Sequence, residues 1–156
     1  MLVPVDITAA TVTALLVLPG TGPEPAYAVT EGNDGEVHVR VDRLEDSERL
    51  ERALAEHGIA ADVTYLPDNM VCAEGRYREA PPQPRGTEMS FILGGSGYGV
   101  DLAPGSIRDG EPIVISTAQR TDLGPGTSGG VTGSLGIATG PVAPCEPVPT
   151  PPLQVE

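Results

Sequence analysis

The sequence predicts a small α+β domain, and three observations carry that prediction. Val37, Val39 and Val41 alternate with His38, Arg40 and Asp42, the period of a strand with one buried face and one wet face. Over residues 46–57, Leu50, Ala53, Leu54 and His57 fall at i, i+3, i+4 and i+7, the stripe of an amphipathic helix. Strand character then returns over residues 59–66 through Val63 and Tyr65. Residues 27–66 therefore read as strand, turn, strand, helix, strand. The expected architecture is a small mixed sheet with a hairpin and a βαβ core, one main helix (46–57) packed on one face, and additional short strands towards the C-terminus.

Each element has its own local reason. The hairpin turn is predicted at Glu31-Gly32-Asn33-Asp34-Gly35, where Asn and Gly supply positive φ angles. Asp46 stands where a helix N-cap belongs and Glu48 lies in the first turn. Glu45/Arg49 and Glu48/Arg52 are acid-first pairs at i, i+4, and Gly58 follows the last turn as a left-handed C-terminal residue. A strand, a helix and a second strand in that order predict a right-handed crossover with the Val37 and Val63 strands parallel. Further on, Pro67-Asp68-Asn69 breaks the chain, and the Pro-rich loop 80–86 is expected to be exposed. Residues 89–93 and 98–102 read as short strands across a glycine turn, followed by 113–115 and, weakened by its glycines, 131–138. Residues 141–156 are expected to be extended and polyproline-like, ordered only where tied down.

Composition limits the function classes. The chain has 156 residues, enough for one domain, with 20 Gly and 17 Pro that assign much of it to loop or tail. With no Trp and one Phe, the core must be built from Val, Ile, Leu and Ala with a few tyrosines. A net charge of −13 repels phosphate backbones and anionic membrane surfaces, so nucleic acid is not an expected partner. Residues 3–18 are mostly apolar, but Asp6 interrupts them and Pro19-Gly20 ends them, too short for a span of about 20 residues. Ala26-Tyr27-Ala28 has the small-x-small form of a signal-peptidase site cleaving after Ala28, although no Lys or Arg precedes it. Two readings stay open: an export or anchor remnant, or an apolar stretch that packs on the domain. The expected organisation is a signal or anchor remnant and spacer (1–26), a single extracytoplasmic α+β domain (27–140) and a Pro-rich tail (141–156).

Little in the chain points to catalysis. Cys72 and Cys145 are the only cysteines. In an exported protein they are expected to form a disulfide; in the cytoplasm they would be two inert thiols. Neither has a Cys or His at metal-ligand spacing, so no metal site is expected, and no cofactor motif is present. His38 and His57 lack a nucleophile-base-orienter set. Gly126-Thr127-Ser128-Gly129-Gly130 echoes the Gly-Asp-Ser-Gly-Gly loop of trypsin-like proteases. Thr127 replaces the aspartate, however, and no Ala-Ala-His-Cys segment lies upstream. Gly95-Ser96-Gly97-Tyr98-Gly99 precedes no helix that could bind a phosphate. The candidate binding surface is the wet strand face carrying His38, Arg40 and Asp42, or the glycine loops at 94–99 and 124–130.

One resemblance adds to this reading. The pattern Ala26-Tyr27-Ala28-Val29, then Gly35, Val37, Val39 and Val41, then Leu50 and Leu54 ahead of Gly58-Ile59, Ala61, Val63, Tyr65, Pro67 and Cys72, resembles a group of uncharacterised actinobacterial exported or membrane-anchored proteins. In that group an N-terminal membrane segment or signal precedes a small extracytoplasmic domain, which often ends in a Pro-rich segment with a second cysteine. Pro144-Cys145-Glu146-Pro147 matches that ending. The resemblance implies an envelope location and brings no activity and no functional residues. The expectation is a non-enzymatic extracytoplasmic domain, secreted or membrane-tethered, that binds an envelope protein or a small ligand and meets a membrane only through an N-terminal anchor. The alternatives are a small secreted hydrolase using Ser128 or another hydroxyl with His38 or His57, and a structural spacer.

Overall fold

The computed structural model describes residues 23–83 and 87–152. The apolar stretch 3–18 and its anchoring role lie outside the described residues, as does part of the loop 80–86. The α+β class holds, with one helix among the described residues and mostly sheet.

The valine alternation becomes a hairpin. Strands β1 (Tyr27–Glu31) and β2 (Val37–Val41) pair antiparallel, with Val29 opposite Val39. Gly35 takes φ 84° in the turn, and the Gly32 amide donates to the Glu36 carbonyl at 2.8 Å. Val37, Val39 and Val41 are buried while His38 and Arg40 face solvent, as the period of two requires. Helix α1 (Ser47–Glu56) buries Leu50 and Leu54 completely, at 0% exposure each. Burial on that scale contributes about 1.5–3 kcal/mol per side chain. The helix ends as Gly58 predicts: at φ 75° it lets its amide donate to Ala55 and the Ile59 amide to Leu54, both at 3.0 Å.

The helix start differs from expectation. Asp46 is itself left-handed (φ 53°) and its side chain makes no capping bond. Its carbonyl oxygen accepts from the Arg49 amide at 3.1 Å, so the backbone rather than the carboxylate opens the helix. Nor does Glu45 reach Arg49; it pairs with Arg43 at 3.3 Å.

The βαβ expectation is corrected. Strand β3 (Ala61–Tyr65) does not join β2. Its parallel neighbour is β8 (Ile113–Arg120), with Val63 opposite Ile115. The reason is that both edges of β2 are occupied. One carries β1 through a short local turn; the other carries β7 (Gly97–Leu102), whose Tyr98, Val100 and Leu102 match the three valines in register. The crossover from β2 through α1 therefore leads into a second sheet. That sheet has the order β3-β8-β9-β5, where β9 is Gly130–Thr139 and β5 is Arg78–Glu79. The first sheet has the order β1-β2-β7-β6, with β6 at Met89–Gly94. A two-stranded ribbon joins β4 (Met70–Cys72) to β10 (Pro147–Pro149). One small mixed sheet is thus replaced by two four-stranded sheets and a ribbon.

The two four-stranded sheets enclose one core. Val39, Val41 and Val100 from the first sheet meet Val63, Ile113 and Ile115 from the second, with Leu50 and Leu54 of α1 among them. Helix α1 also covers the edge of β3, where Glu51 Oε1 accepts the Val63 amide at 2.7 Å and satisfies an edge donor. Gly97 opens β7 where a Cβ would lie 1.8 Å from the Val41 carbonyl oxygen, so only glycine lets the strands approach. Tyr98 stacks edge-on against Phe91 and Tyr65, with centroids 5.6 and 6.5 Å away. Burial holds the Tyr98 phenol well above its ordinary range and therefore protonated.

The C-terminal strands are longer than the sequence predicts. Strand β8 runs eight residues and β9 ten, against the three and eight expected. At two glycines of β9, neighbouring groups occupy the space a side chain would take. A Cβ on Gly133 would meet the Ser116 carbonyl oxygen at 2.6 Å, and one on Gly136 the Tyr77 hydroxyl at 2.1 Å.

Candidate functional site

Cys72 and Cys145 form the expected disulfide, with Cα atoms 5.2 Å apart. It joins the end of β4 to the start of the tail. The segment Glu146-Pro147-Val148-Pro149-Thr150-Pro151 holds a proline after every second residue, which keeps Glu146, Val148 and Thr150 extended. Those residues are the ones that bond: Ala73 N–H donates to the Glu146 carbonyl at 2.8 Å and Thr150 N–H to the Asn69 carbonyl at 2.9 Å. Pro147 and Pro149 fall between them, facing the side where no amide proton is needed. The tail is thus an edge strand over 147–149 rather than a free polyproline segment, and its prolines leave the outer edge without a template for further pairing.

The surface predicted from the wet strand face is assembled, with its charges engaged. His38 Nδ1 lies 2.8 Å from Asp101 Oδ1, and Ser90 Oγ donates to Asp101 Oδ2 at 2.9 Å. Here the carboxylate sits between histidine and serine. A nucleophilic triad needs the histidine in the middle, so this row is not one. The Asp101 hydrogen bond raises the His38 pKa above its usual 6.5, and the His38 and Ser90 bonds lower that of Asp101. Arg40 Nε donates to Asp42 Oδ2 at 3.1 Å. Beside Arg40, across Gly99, Ile92 stands 63% exposed on the edge strand β6.

The other predicted groups stay apart. His57 Nδ1 lies 3.1 Å from Glu31 Oε2 at the helix end, and Ser128 is exposed in the loop between β8 and β9. Ser128 is not a hydrogen-bond partner of either histidine ring nitrogen among the described residues. The glycine turn at 94–97 is a tight hairpin, braced by Ser96 Oγ donating to the Asp42 carbonyl at 2.9 Å.

A concave feature that the sequence does not announce lies on the second sheet. A cleft of about 400 Å³ separates the outer face of β8–β9 from the segment 70–77. Side-chain alternation turns Ile113 and Ile115 towards the core and Val114, Ser116 and Ala118 towards the cleft. Opposite them in register lie Gly136, Ser134 and Thr132. Ser116 Oγ and Ser134 Oγ are hydrogen-bonded at 2.8 Å on the cleft floor. Tyr77 forms one end wall over Gly136, and burial pushes its phenol pKa up. Arg76 is held away from the opening: its side chain is 7% exposed, Nη2 donates to Asp62 Oδ1 at 2.9 Å and Nε to the Ala143 carbonyl at 3.1 Å. Glu74 and Glu79 stand exposed at the mouth, and neither forms an ion pair among the described residues. The roof strand, β4, is the one locked by the disulfide.

Comparison with protein-family models, with curated proteins and with solved structures finds no match. The functional reading therefore rests on geometry. No cluster of three or more His, Cys, Asp or Glu that could hold a metal occurs among the described residues. The signal that could have located the cleft is the hydroxyl pattern of two strands, Val114-x-Ser116-x-Ala118 against Thr132-x-Ser134-x-Gly136. It was obscured because β8 and β9 are not recognisable as partners until their full lengths are known.

Proposed function

We propose that this chain is a non-enzymatic extracytoplasmic domain, secreted or membrane-tethered, that binds a small polar ligand in the cleft beneath the disulfide-bonded flap. One observation carries the reading. A sheet face that a purely structural spacer would bury under apolar side chains instead offers the Ser116–Ser134 hydroxyl pair to an open space of about 400 Å³, within the range of small-molecule sites. The disulfide supports the location, because such bonds persist in oxidising compartments. The resemblance to actinobacterial exported proteins points the same way and belongs to this proposal. Binding is favoured over hydrolysis because both histidines are committed to carboxylates outside the cleft.

A second reading has its own observation. Ile92, exposed beside Arg40 on the outer face of the first sheet, favours that face as the contact for an envelope protein.

The test has two readouts. Protein taken from its native host and kept from reductant is expected in the extracytoplasmic or membrane fraction, two hydrogen masses lighter than its reduced form. Small polar compounds are expected to raise its unfolding midpoint, and Ser134→Leu, which projects a larger apolar side chain from the cleft floor, is expected to abolish that shift. Reduced, cytosolic protein would sink the location. Compounds that stabilise Ser134→Leu as well as the parent would sink the cleft.

A further inference from the structure

We infer that the ligand of the cleft is a neutral polyhydroxylated molecule of mono- or disaccharide size, recognised by the Ser116–Ser134 pair, the Glu74 and Glu79 carboxylates and the face of Tyr77. This rests on the cleft reading above and adds the ligand class.

Charge excludes one class. Arg76 is the cation that lines the cleft, and Asp62 and the Ala143 carbonyl already engage it. Glu74 and Glu79 stand at the mouth without ion pairs among the described residues, on a chain of net charge −13. A phosphate or carboxylate would meet carboxylates at the entrance and no available guanidinium inside.

Hydrogen-bond stoichiometry separates the remaining two. Each serine hydroxyl has one proton and two lone pairs. The Ser116–Ser134 bond uses one proton, so the pair retains a second proton to donate and several lone pairs to accept. An ammonium ligand brings only donors and leaves that proton without an acceptor. A ligand hydroxyl brings both, and so matches the floor without orphaning a polar group. The carboxylates at the mouth accept from further hydroxyls by charge-assisted bonds. Tyr77 supplies a ring and the half-buried Val71 supplies apolar area for the C–H faces of a sugar ring. The volume of about 400 Å³ lies at the lower end of small-molecule pockets, which limits the occupant to one or two rings.

The experiment is an amide chemical-shift titration of the oxidised full chain with N-acetylglucosamine, maltose and trehalose, with spermidine and glucose 6-phosphate as charged counterparts. At least one neutral sugar is expected to move the Gly133, Ser134 and Tyr77 amides. Its affinity should change less than about twofold between low and high salt, since no net charge is neutralised. Ser134→Ala, which leaves the backbone alone, is expected to weaken it about tenfold, and Ser134→Leu to abolish it. If spermidine or glucose 6-phosphate moves these amides and no neutral sugar does, the ligand class is overturned and the cleft stands. If the shifts fall elsewhere and survive Ser134→Leu, or no probe shifts any amide, the cleft reading fails with it.

Discussion

Replacing both cysteines, Cys72→Ser with Cys145→Ser, tests how the tail is held. The bridge spans 73 residues of sequence. Closing a loop of that length removes conformational entropy from the unfolded chain worth about 4 kcal/mol at room temperature. For a domain of this size each kcal/mol moves the thermal midpoint by about 3–4 °C, so the variant should melt about 12–16 °C lower. Two further signatures distinguish this origin from simple loss of packing. The unfolded chain expands when the loop opens, so the urea m-value should rise. In the native state, the tail would be left with a three-residue strand whose Pro147 and Pro149 have no amide proton to donate. The Ala73 amide, which donates to the Glu146 carbonyl, should therefore exchange at a rate set by local opening of the tail rather than by global unfolding. The measurements are thermal and urea unfolding and amide exchange of parent and variant. A loss below about 1 kcal/mol with unchanged protection at Ala73 would refute the reasoning. It would mean that contacts other than the covalent bond hold the tail.

The remaining tests probe the scaffold and the charged row. Gly97→Ala places a methyl 1.8 Å from the Val41 carbonyl oxygen and should cost at least about 3 kcal/mol in urea unfolding, whereas Gly94→Ala, with no atom within 4 Å, should stay within about 0.5 kcal/mol. Asn69→Ala removes the acceptor of the Thr121 amide (2.8 Å) and the donor to Thr121 Oγ1 (2.7 Å) at a left-handed residue (φ 59°); about 2–3 kcal/mol should be lost, and less in Asn69→Gly, which relieves the backbone. Leu54→Ala should cost about 2–5 kcal/mol, because the side chain is fully buried. The His38 imidazole should titrate above 6.5 by NMR and fall back towards that value in Asp101→Asn. Because its folded pKa is raised, its contribution is fully present below pH 6.5 and disappears as pH rises through the folded pKa. Asp101, whose folded pKa is lowered, contributes above its ordinary 3.8 and loses that contribution as pH falls through its folded pKa.

What was legible from residues alone was local. The valine alternation of β2, the Leu50/Leu54 stripe and Gly58 each state a backbone geometry within a few residues, and each appears as read. Pairing between distant segments was not legible. Val63 has the same strand character whether it joins Val39 or Ile115, and in the fold both edges of β2 are taken by β1 and β7. Asp46 misled for a related reason: a carboxylate before a helix is a good cap only in extended backbone, and here the chain enters through a left-handed residue. The cleft lies furthest from the sequence, since it needs β8 and β9 in register, segment 70–77 folded back over them and a tail strand to brace it. Ser116 and Ser134 are separated by a loop and meet only as register partners.

The geometry at Tyr27 also bears on where the folded unit starts. The small-x-small string predicts a cut after Ala28, yet Ala28 lies inside β1, opposite Arg40. Tyr27 packs on the core, and its hydroxyl donates to the Arg49 carbonyl at 3.2 Å, tying β1 to α1. The Ala26 carbonyl accepts from the Asp42 amide at 2.8 Å and the Glu24 carbonyl from Arg43 Nη2 at 2.9 Å. A cut after Ala28 would remove all of these and leave Val41 paired only with Tyr98 on β7. Ala28 shares its cross-strand row with Arg40, Gly99 and Ile92 on the open face. The backbone contacts of Glu24 and Ala26 thus extend the hydrogen-bonded framework of the first sheet upstream of β1.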